Sequence, residues 1–547
     1  MPSLLTNAHF YRDGAWDPRV SAMAVRDGRI ALLGSLAECR EAAGSGAEEI
    51  DLGGQWVLPG FQDAHVHPVG GGLELQRCNL AESRSAADYL ATIGAYAAAH
   101  PGAEWILGGG WYMEAFPGGV PTAATLDTVV ADRPVFLPNR DHHSAWVNSE
   151  ALRRAGITAT TPDPPDGRIE RDADGNPTGC LHEGAMERMA ALVPPTSQAE
   201  LDQGLRTGQA YLHSLGITGW QDAIVGLGAG LPDALDAYCR AAADGTLTAR
   251  VVGALWWDRT RGAEQLPDLL ERRARGVAAG FQATTVKIMQ DGVCETFTAA
   301  MLDPYRDEHG HATDNRGVSF IEADDLARYV TLLDAHDFQV HLHALGDRAV
   351  RDSLDAIEEA IMANGARDNR HHLAHLQVVH PDDVGRFARL GATANAQPLW
   401  ACHDQQMVEL TIPFLSAEAV AHQYPFASLL DAGARLACGS DWPVSSPEPF
   451  AQLHVAVNRT VPPGESDDYA PGRAPLLAHE AISVTAAIDG FTAGSAYVNH
   501  LDDAGRLEVG YLADVTVADG DVLGDPAGLS SIRAALTMVG GGVVWAR

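Results

Sequence analysis

Two histidines one residue apart, His65 and His67, can put both imidazoles on one metal ion if the segment is extended, because side chains two apart on a strand share a face. Alone, such a pair equally suits packing or surface histidines. The spacing recurs at His341 and His343, and His371 and His375 stand four apart, again on one face of a strand. Asp441, in Gly439-Ser440-Asp441-Trp442, follows another short apolar run. A carboxylate there could bind a metal and hold a proton for a leaving group, whereas an isolated Asp after a strand is usually a turn or helix cap. Lys287 is the only lysine in the chain, every other basic residue apart from the histidines being arginine, and it lies in the otherwise uncharged run Thr284-Thr285-Val286-Lys287-Ile288-Met289. An ammonium buried in such a strand needs a partner, and Asp291 on the same face is one candidate. Alternatively, a neutral amine takes up carbon dioxide and becomes a carbamate, an anionic oxygen ligand able to bridge two metals, which an arginine cannot do.

The elements that would position these groups alternate short apolar strands with amphipathic helical stretches, as in βαβ units. Strands are expected at 60–65, 217–222, 250–256, 283–289, 338–343, 371–376, 392–396 and 434–438, with helices at 231–243, 347–363 and 382–390 among them. Eight parallel strands make a (β/α)₈ barrel, whose active site lies at the carboxyl ends of the strands. On that rim His343 and His375 are the ligand candidates. His341 and His371 sit a layer deeper as hydrogen-bonded supports, His372 points to the opposite face, and His380 lies beyond its strand. Trp256 and Trp257, Trp400, Trp442 and Trp111 fall after strands or in loops, where they either pack beneath the loops or meet a substrate with an apolar or aromatic substituent.

Both ends of the chain read as β structure. Asp27-Gly28 between two apolar runs signals a tight hairpin, and Val-rich runs broken by Gly and Asp occupy 510–518 and 535–545. The gap 68–216 is far too long for a strand-to-strand crossover, so an inserted lid over the barrel mouth is expected there, with Gly108-Gly109-Gly110-Trp111, Asp141-His142-His143 and the Pro- and Asp-rich run 161–175 as loops. The expected organisation is α/β: a TIM-like barrel at 59–493, the lid at about 68–216 within it, and a β-sandwich formed by both termini, 1–58 and 494–547. A formal net charge of -34 argues against nucleic acid or an acidic membrane surface as partner. Seven scattered cysteines give neither a disulfide framework nor a Cys-type zinc site. With no signal-like amino terminus and no apolar run long enough to span a membrane, a cytoplasmic protein is expected, a homo-oligomer being left open.

The order His-x-His after the first strand, Lys in the fourth, His at the fifth and sixth and Asp at the eighth resembles the amidohydrolase superfamily. The strings Pro59-Gly60-Phe61-Gln62-Asp63-Ala64-His65, His343-Ala344-Leu345-Gly346-Asp347-Arg348-Ala349 and Gly439-Ser440-Asp441-Trp442-Pro443-Val444 are similar to its amidohydrolase-3 branch, which includes N-substituted formamide deformylase. So are Asp141-His142-His143-Ser144-Ala145-Trp146-Val147-Asn148 and the closing Gly510-Tyr511-Leu512-Ala513-Asp514, so the similarity spans nearly the whole chain. The resemblance implies one or two divalent ions, zinc foremost, held by His65, His67, His343, His375, Asp441 and carboxylated Lys287. It further implies water attack on an amide, formamide or related C–N bond of a small molecule, with Asp441 moving the proton. His143 and Glu183 would orient substrate from the lid, and Trp111, Trp257 and Trp442 would contact it. His142 stands where the branch often has a small residue. Deamination or cyclic-imide opening needs the same site. A catalytically silent binding or regulatory protein is the alternative of another class, and degenerate members of enzyme families generally lose ligands, whereas all six are present here.

Overall fold

The computed structural model of the chain describes residues 2–228, 230–464 and 470–547. Its centre is a parallel eight-stranded barrel sheet in which every expected strand is present: β1 (Phe61–Val66), β2 (Ile217–Val225), β3 (Arg250–Trp256), β4 (Gln282–Met289), β5 (Gln339–Ala344), β6 (His372–His375), β7 (Thr393–Ala396) and β8 (Arg435–Cys438). The strands neighbour one another in chain order. Beyond β8 the ends are tied by Asp441 N–H to the His65 carbonyl at 2.7 Å and by His67 N–H to the Trp442 carbonyl at 2.8 Å. All residues of β1, β2, β5, β6 and β7 are buried, as expected of parallel strands covered on both faces. The covering helices include Leu266–Ala279, Ala323–Ala335 and Asp347–Asn364, whose apolar stripes join the main core with Phe281, Phe338 and Leu354.

The terminal segments build two further sheets. Ser3–Thr6, Ala22–Arg26, Arg29–Gly34 and Glu48–Asp51 form one; the Ala22–Gly34 hairpin turns through Asp27 and Gly28, both at positive φ (51° and 76°), as a two-residue primed turn requires. The other joins His9–Arg12, Ala15–Trp16 and Trp56–Pro59 to Val515–Ala518, Ala534–Val539 and Gly542–Ala546, so both ends of the chain meet in one sheet. Leu5, Met23, Val57, Val515 and Met538 of the two sheets share one apolar cluster. Among the described residues no helix is long and apolar enough to cross a membrane.

Between β1 and β2 lies a third sheet of six strands, from Cys78–Asn79 to Pro177–Glu183, followed by the helix Gln198–Ser214. Two expectations change here. Gly108 and Gly109 are not loop residues but the end of the strand Ile106–Gly109, and a Cβ on Gly108 would stand 2.0 Å from the Cys78 carbonyl oxygen of the neighbouring strand. The run 161–175 likewise contains a strand, Gly167–Arg171, paired with Pro177–Glu183. In both places tertiary pairing overrides the turn preference of Gly, Pro and Asp.

Candidate metal centre

Where β1 ends beside β8, Nε2 of His67 lies 3.0 Å and Nε2 of His65 3.2 Å from the same atom, Oδ1 of Asp441. The ligand atoms of these three buried residues all fall within 4.8 Å of one another. Local backbone makes the meeting possible. Asp441 adopts positive φ (57°), which re-aims its side chain after the strand, and Gly439 lets β8 approach β1, since a Cβ there would lie 2.5 Å from the His65 backbone nitrogen. Oδ1 of Asp63 accepts the backbone N–H of both His65 (3.0 Å) and Ser440 (2.9 Å), so one carboxylate fixes both ligand-bearing segments.

His375 completes the group on the far side, with Nδ1 4.0 Å from Oδ2 of Asp441 and its ring 4.5 Å from that of His343. His371 and His375 do not share a face as expected. His371 turns outward to Asp334 (3.1 Å), while His372 points into the barrel, its ring 4.1 Å from His341. The alternation breaks because His375 and Leu376 sit at positive φ (80° and 53°), and this rotates His375 back into the mouth. Such a backbone costs a β-strand residue on the order of 1–3 kcal/mol and is typical of functional positions. His341 lies beneath His65, its Nε2 2.9 Å from Nδ1 of that ring.

Lys287 is buried with Nζ 3.4 Å from Nε2 of His65, and no carboxylate forms an ion pair with it among the described residues. Burial lowers its pKa to about 7, so a large fraction is the neutral amine near neutral pH. Asp291 is committed elsewhere: its oxygens accept N–H bonds from Ala300, Leu345 and Gly346, and Oδ1 lies 3.1 Å from Nδ1 of His343. That contact leaves Nε2 of His343 as the atom available to a ligand or ion. Burial, with the Lys287 charge adding to it, pushes His65 down to about 3 and holds His343 well below the ordinary histidine value. These are neutral imidazoles, the form that binds metal. Both ring nitrogens of His375 and Nδ1 of His67 are buried without hydrogen-bond partners. A divalent cation fits this donor set, since it would satisfy orphaned nitrogens and separate the closely opposed imidazole and carboxylate atoms.

From the insertion, His143 reaches the mouth with its ring 5.7 Å from that of His343. Its Nδ1 is 2.7 Å from Oε1 of Glu183, which also accepts the Thr298 hydroxyl at 3.0 Å. Burial opposes the imidazolium, but the Glu183 carboxylate outweighs it and lifts His143 to about 9. His142 instead meets Glu74 at 2.9 Å. The three tryptophans expected at the substrate pack against other residues of the chain. Trp111 is fully buried in the insertion core against Phe116 and Trp146, Trp257 packs on Tyr329 outside the sheet, and Trp442 lies over Gly71 and against Tyr211. Large aromatics fill cores as readily as pockets, so their position after a strand did not decide between the two. Trp400 does face the site, stacked on His375 at 5.2 Å and 7° between planes. It lines a small, partly open cleft with Arg140, Asp141, Glu295, Asp404 and Tyr424. Sequence reasoning missed Asp63, whose signal was its place two residues before His65, and assigned Asp291 to Lys287 where the structure puts it against His343.

The chain matches the model of the amidohydrolase family over residues 48–545. It belongs to that family. The chain is similar to LONG AFTER FAR-RED 3 of Arabidopsis thaliana, at 31% identity over 94% of this chain and 86% of that one. It is similar to N-substituted formamide deformylase of Arthrobacter pascens, at 26% identity over 95% and 93%. Among solved structures, an uncharacterised metal-dependent hydrolase from Pyrococcus furiosus superposes with TM-score 0.70 at 25% identity, covering 96% of this chain and all of that one. This family member therefore shares its fold with that hydrolase over 96% of the chain.

Proposed function

We propose that the protein is a metal-dependent hydrolase of a C–N bond in a small amide, formamide or related substrate. The observation that carries this reading is the convergence of His65, His67 and Asp441 within 4.8 Å at the carboxyl ends of β1 and β8 in a chain of the amidohydrolase family. His65, His67 and Asp441 would hold one divalent ion, zinc by the chemistry of the donors, and His343 and His375 would serve a second, joined to the first by the carbamate of Lys287. When bound, such ions polarise a carbonyl and make water a stronger nucleophile at neutral pH.

The chain's own groups divide the remaining work. Oδ1 of Asp441 faces His65 and His67, which leaves Oδ2 as the atom that takes a proton from the attacking water and returns it to the departing nitrogen. His143, held through Nδ1 by Glu183, presents Nε2–H to the substrate carbonyl oxygen or its neighbour. Trp400 and Tyr424 offer aromatic faces to an apolar or aromatic substituent, while Asp141, Glu295 and Asp404 against Arg140 disfavour an anionic one. The insertion at 68–216 supplies Arg140, Asp141 and His143 and so acts as the specificity lid of the barrel domain. Deamination uses the same groups, and the similarity to a formamide deformylase favours acyl C–N hydrolysis over it.

The test is metal analysis of the purified protein combined with a screen of amides, formamides and esters under zinc, manganese or cobalt. Stoichiometric metal with turnover of an amide or formamide supports the reading; a metal-free protein, or metal without any hydrolysis across the screen, contradicts it. The carbamate has its own check. Lys287→Arg keeps a positive charge but cannot be carboxylated, so it should lose at least one metal and nearly all activity, and Lys287→Ala should regain part of both with small carboxylic acids. Full activity in the arginine variant would remove the carbamate.

A further inference from the structure

We propose that Gln221, on β2, is a positioning residue that acts through His341 to place the proton of His65 on Nδ1 and leave Nε2 as the metal-binding atom. The inference rests on the reading of His65 as a metal ligand. It starts from atoms whose hydrogen-bonding sense is fixed. Nε2 of Gln339 contacts two backbone carbonyls, Arg370 at 2.8 Å and Val498 at 2.7 Å, and carbonyls only accept. The amide of Gln339 is thereby oriented, and its Oε1 must accept, from the Thr285 hydroxyl at 2.8 Å and from Nε2 of Gln221 at 3.0 Å.

Gln221 is oriented in turn. Its Oε1 faces Nδ1 of His341 at 2.7 Å and Nε2 of His372 at 3.0 Å, and an acceptor against both nitrogens requires that each carry a proton. Among the described residues neither ring is hydrogen bonded to a carboxylate, and both are wholly buried, so each is a neutral imidazole with one N–H. His341 therefore has its lone pair on Nε2, which accepts from Nδ1–H of His65 at 2.9 Å. Nε2 of His65 is left with a lone pair, 3.2 Å from Asp441 and 3.4 Å from Lys287. A second fixed point agrees. Nδ2 of Asn395 donates to the Ala64 carbonyl at 2.9 Å, so it also donates to Nδ1 of His372 at 3.2 Å, which again leaves the His372 proton on Nε2 facing Gln221. The relay thus closes from both ends on the same tautomer of the ligand. Partners of this kind fix ring orientation and raise the basicity of the ligating nitrogen.

The test reads the ring tautomer in metal-free protein by ¹⁵N histidine NMR and, separately, zinc affinity by calorimetry. Wild type should show His65 protonated at Nδ1. Gln221→Leu, which cannot accept, should release His341 and let the His65 proton move to Nε2, weakening zinc binding by about 10- to 100-fold. Lower zinc affinity without movement of the His65 proton would mark a purely structural loss and would overturn the proposal. Unchanged tautomer and zinc affinity in a folded Gln221→Leu protein would overturn the proposal. So would a wild-type His65 protonated at Nε2, a result that needs no variant to fold. Wild type that binds no zinc would instead overturn the metal-site reading itself.

Discussion

Asp441 is the residue on which the chemistry turns, because it alone faces two ligand imidazoles with one oxygen while its other oxygen stays less engaged. Asp441→Asn preserves shape but cannot accept the proton, so turnover should fall by about a hundredfold or more while the thermal unfolding midpoint barely moves. Metal content measured on the same preparation separates lost proton transfer from lost metal, and near-wild-type turnover would take Asp441 out of that role. His143 gives a prediction in pH. Its pKa in the folded chain, about 9, lies above the usual 6.5 because Glu183 outweighs burial. The pair therefore stabilises the fold fully below about 6.5, and this contribution is lost as pH rises through about 9. If the imidazolium is the substrate donor, kcat/KM should decline over the same alkaline range, and His143→Gln should lower it about tenfold or more and remove that decline. An alkaline limb unchanged in the variant would assign the decline to another group.

The strands were the most legible elements in the sequence, since short apolar runs separated by helical periodicity leave little choice but parallel pairing; spacing put His65 and His67 on one face and His343 at a strand end, while reading them with Lys287 and Asp441 as one ligand set needed the family resemblance. What could not be read was backbone that departs from the regular period. His375 reaches the mouth only through its positive φ, so the two-residue alternation put His372 on the wrong face. Trp111 shows the same limit, because burial in the insertion core depends on which sheet closes over it. The β8 turn yields a prediction of this kind. Gly439→Ala would set a Cβ 2.5 Å from the His65 nitrogen and must push β8 from β1. The variant should lose about 1–3 kcal/mol of stability and bind metal more weakly, both measurable by denaturant titration and metal analysis. A stable variant with full metal affinity would show that the two strands tolerate separation.

Across the molecule, the terminal sheets do more than cap the barrel. Thr516, on the strand Val515–Ala518 of the six-stranded sheet, donates its hydroxyl to the Gly216 carbonyl at 2.5 Å and accepts the Phe61 N–H at 3.3 Å, clipping together the starts of β1 and β2. A residue 455 positions further along the chain than Phe61 thus helps set the strand that leads to His65 and His67. A metal centre at the carboxyl ends of β1 and β8, with β5 and β6 beside it, is what this scaffold is proposed to build. An anomalous-difference map from crystals of the zinc-loaded protein, collected on either side of the zinc edge, tests it most directly. A peak is expected about 2.0–2.2 Å from Nε2 of His65, Nε2 of His67 and an oxygen of Asp441. A map with zinc bound elsewhere and none among these three residues would contradict it.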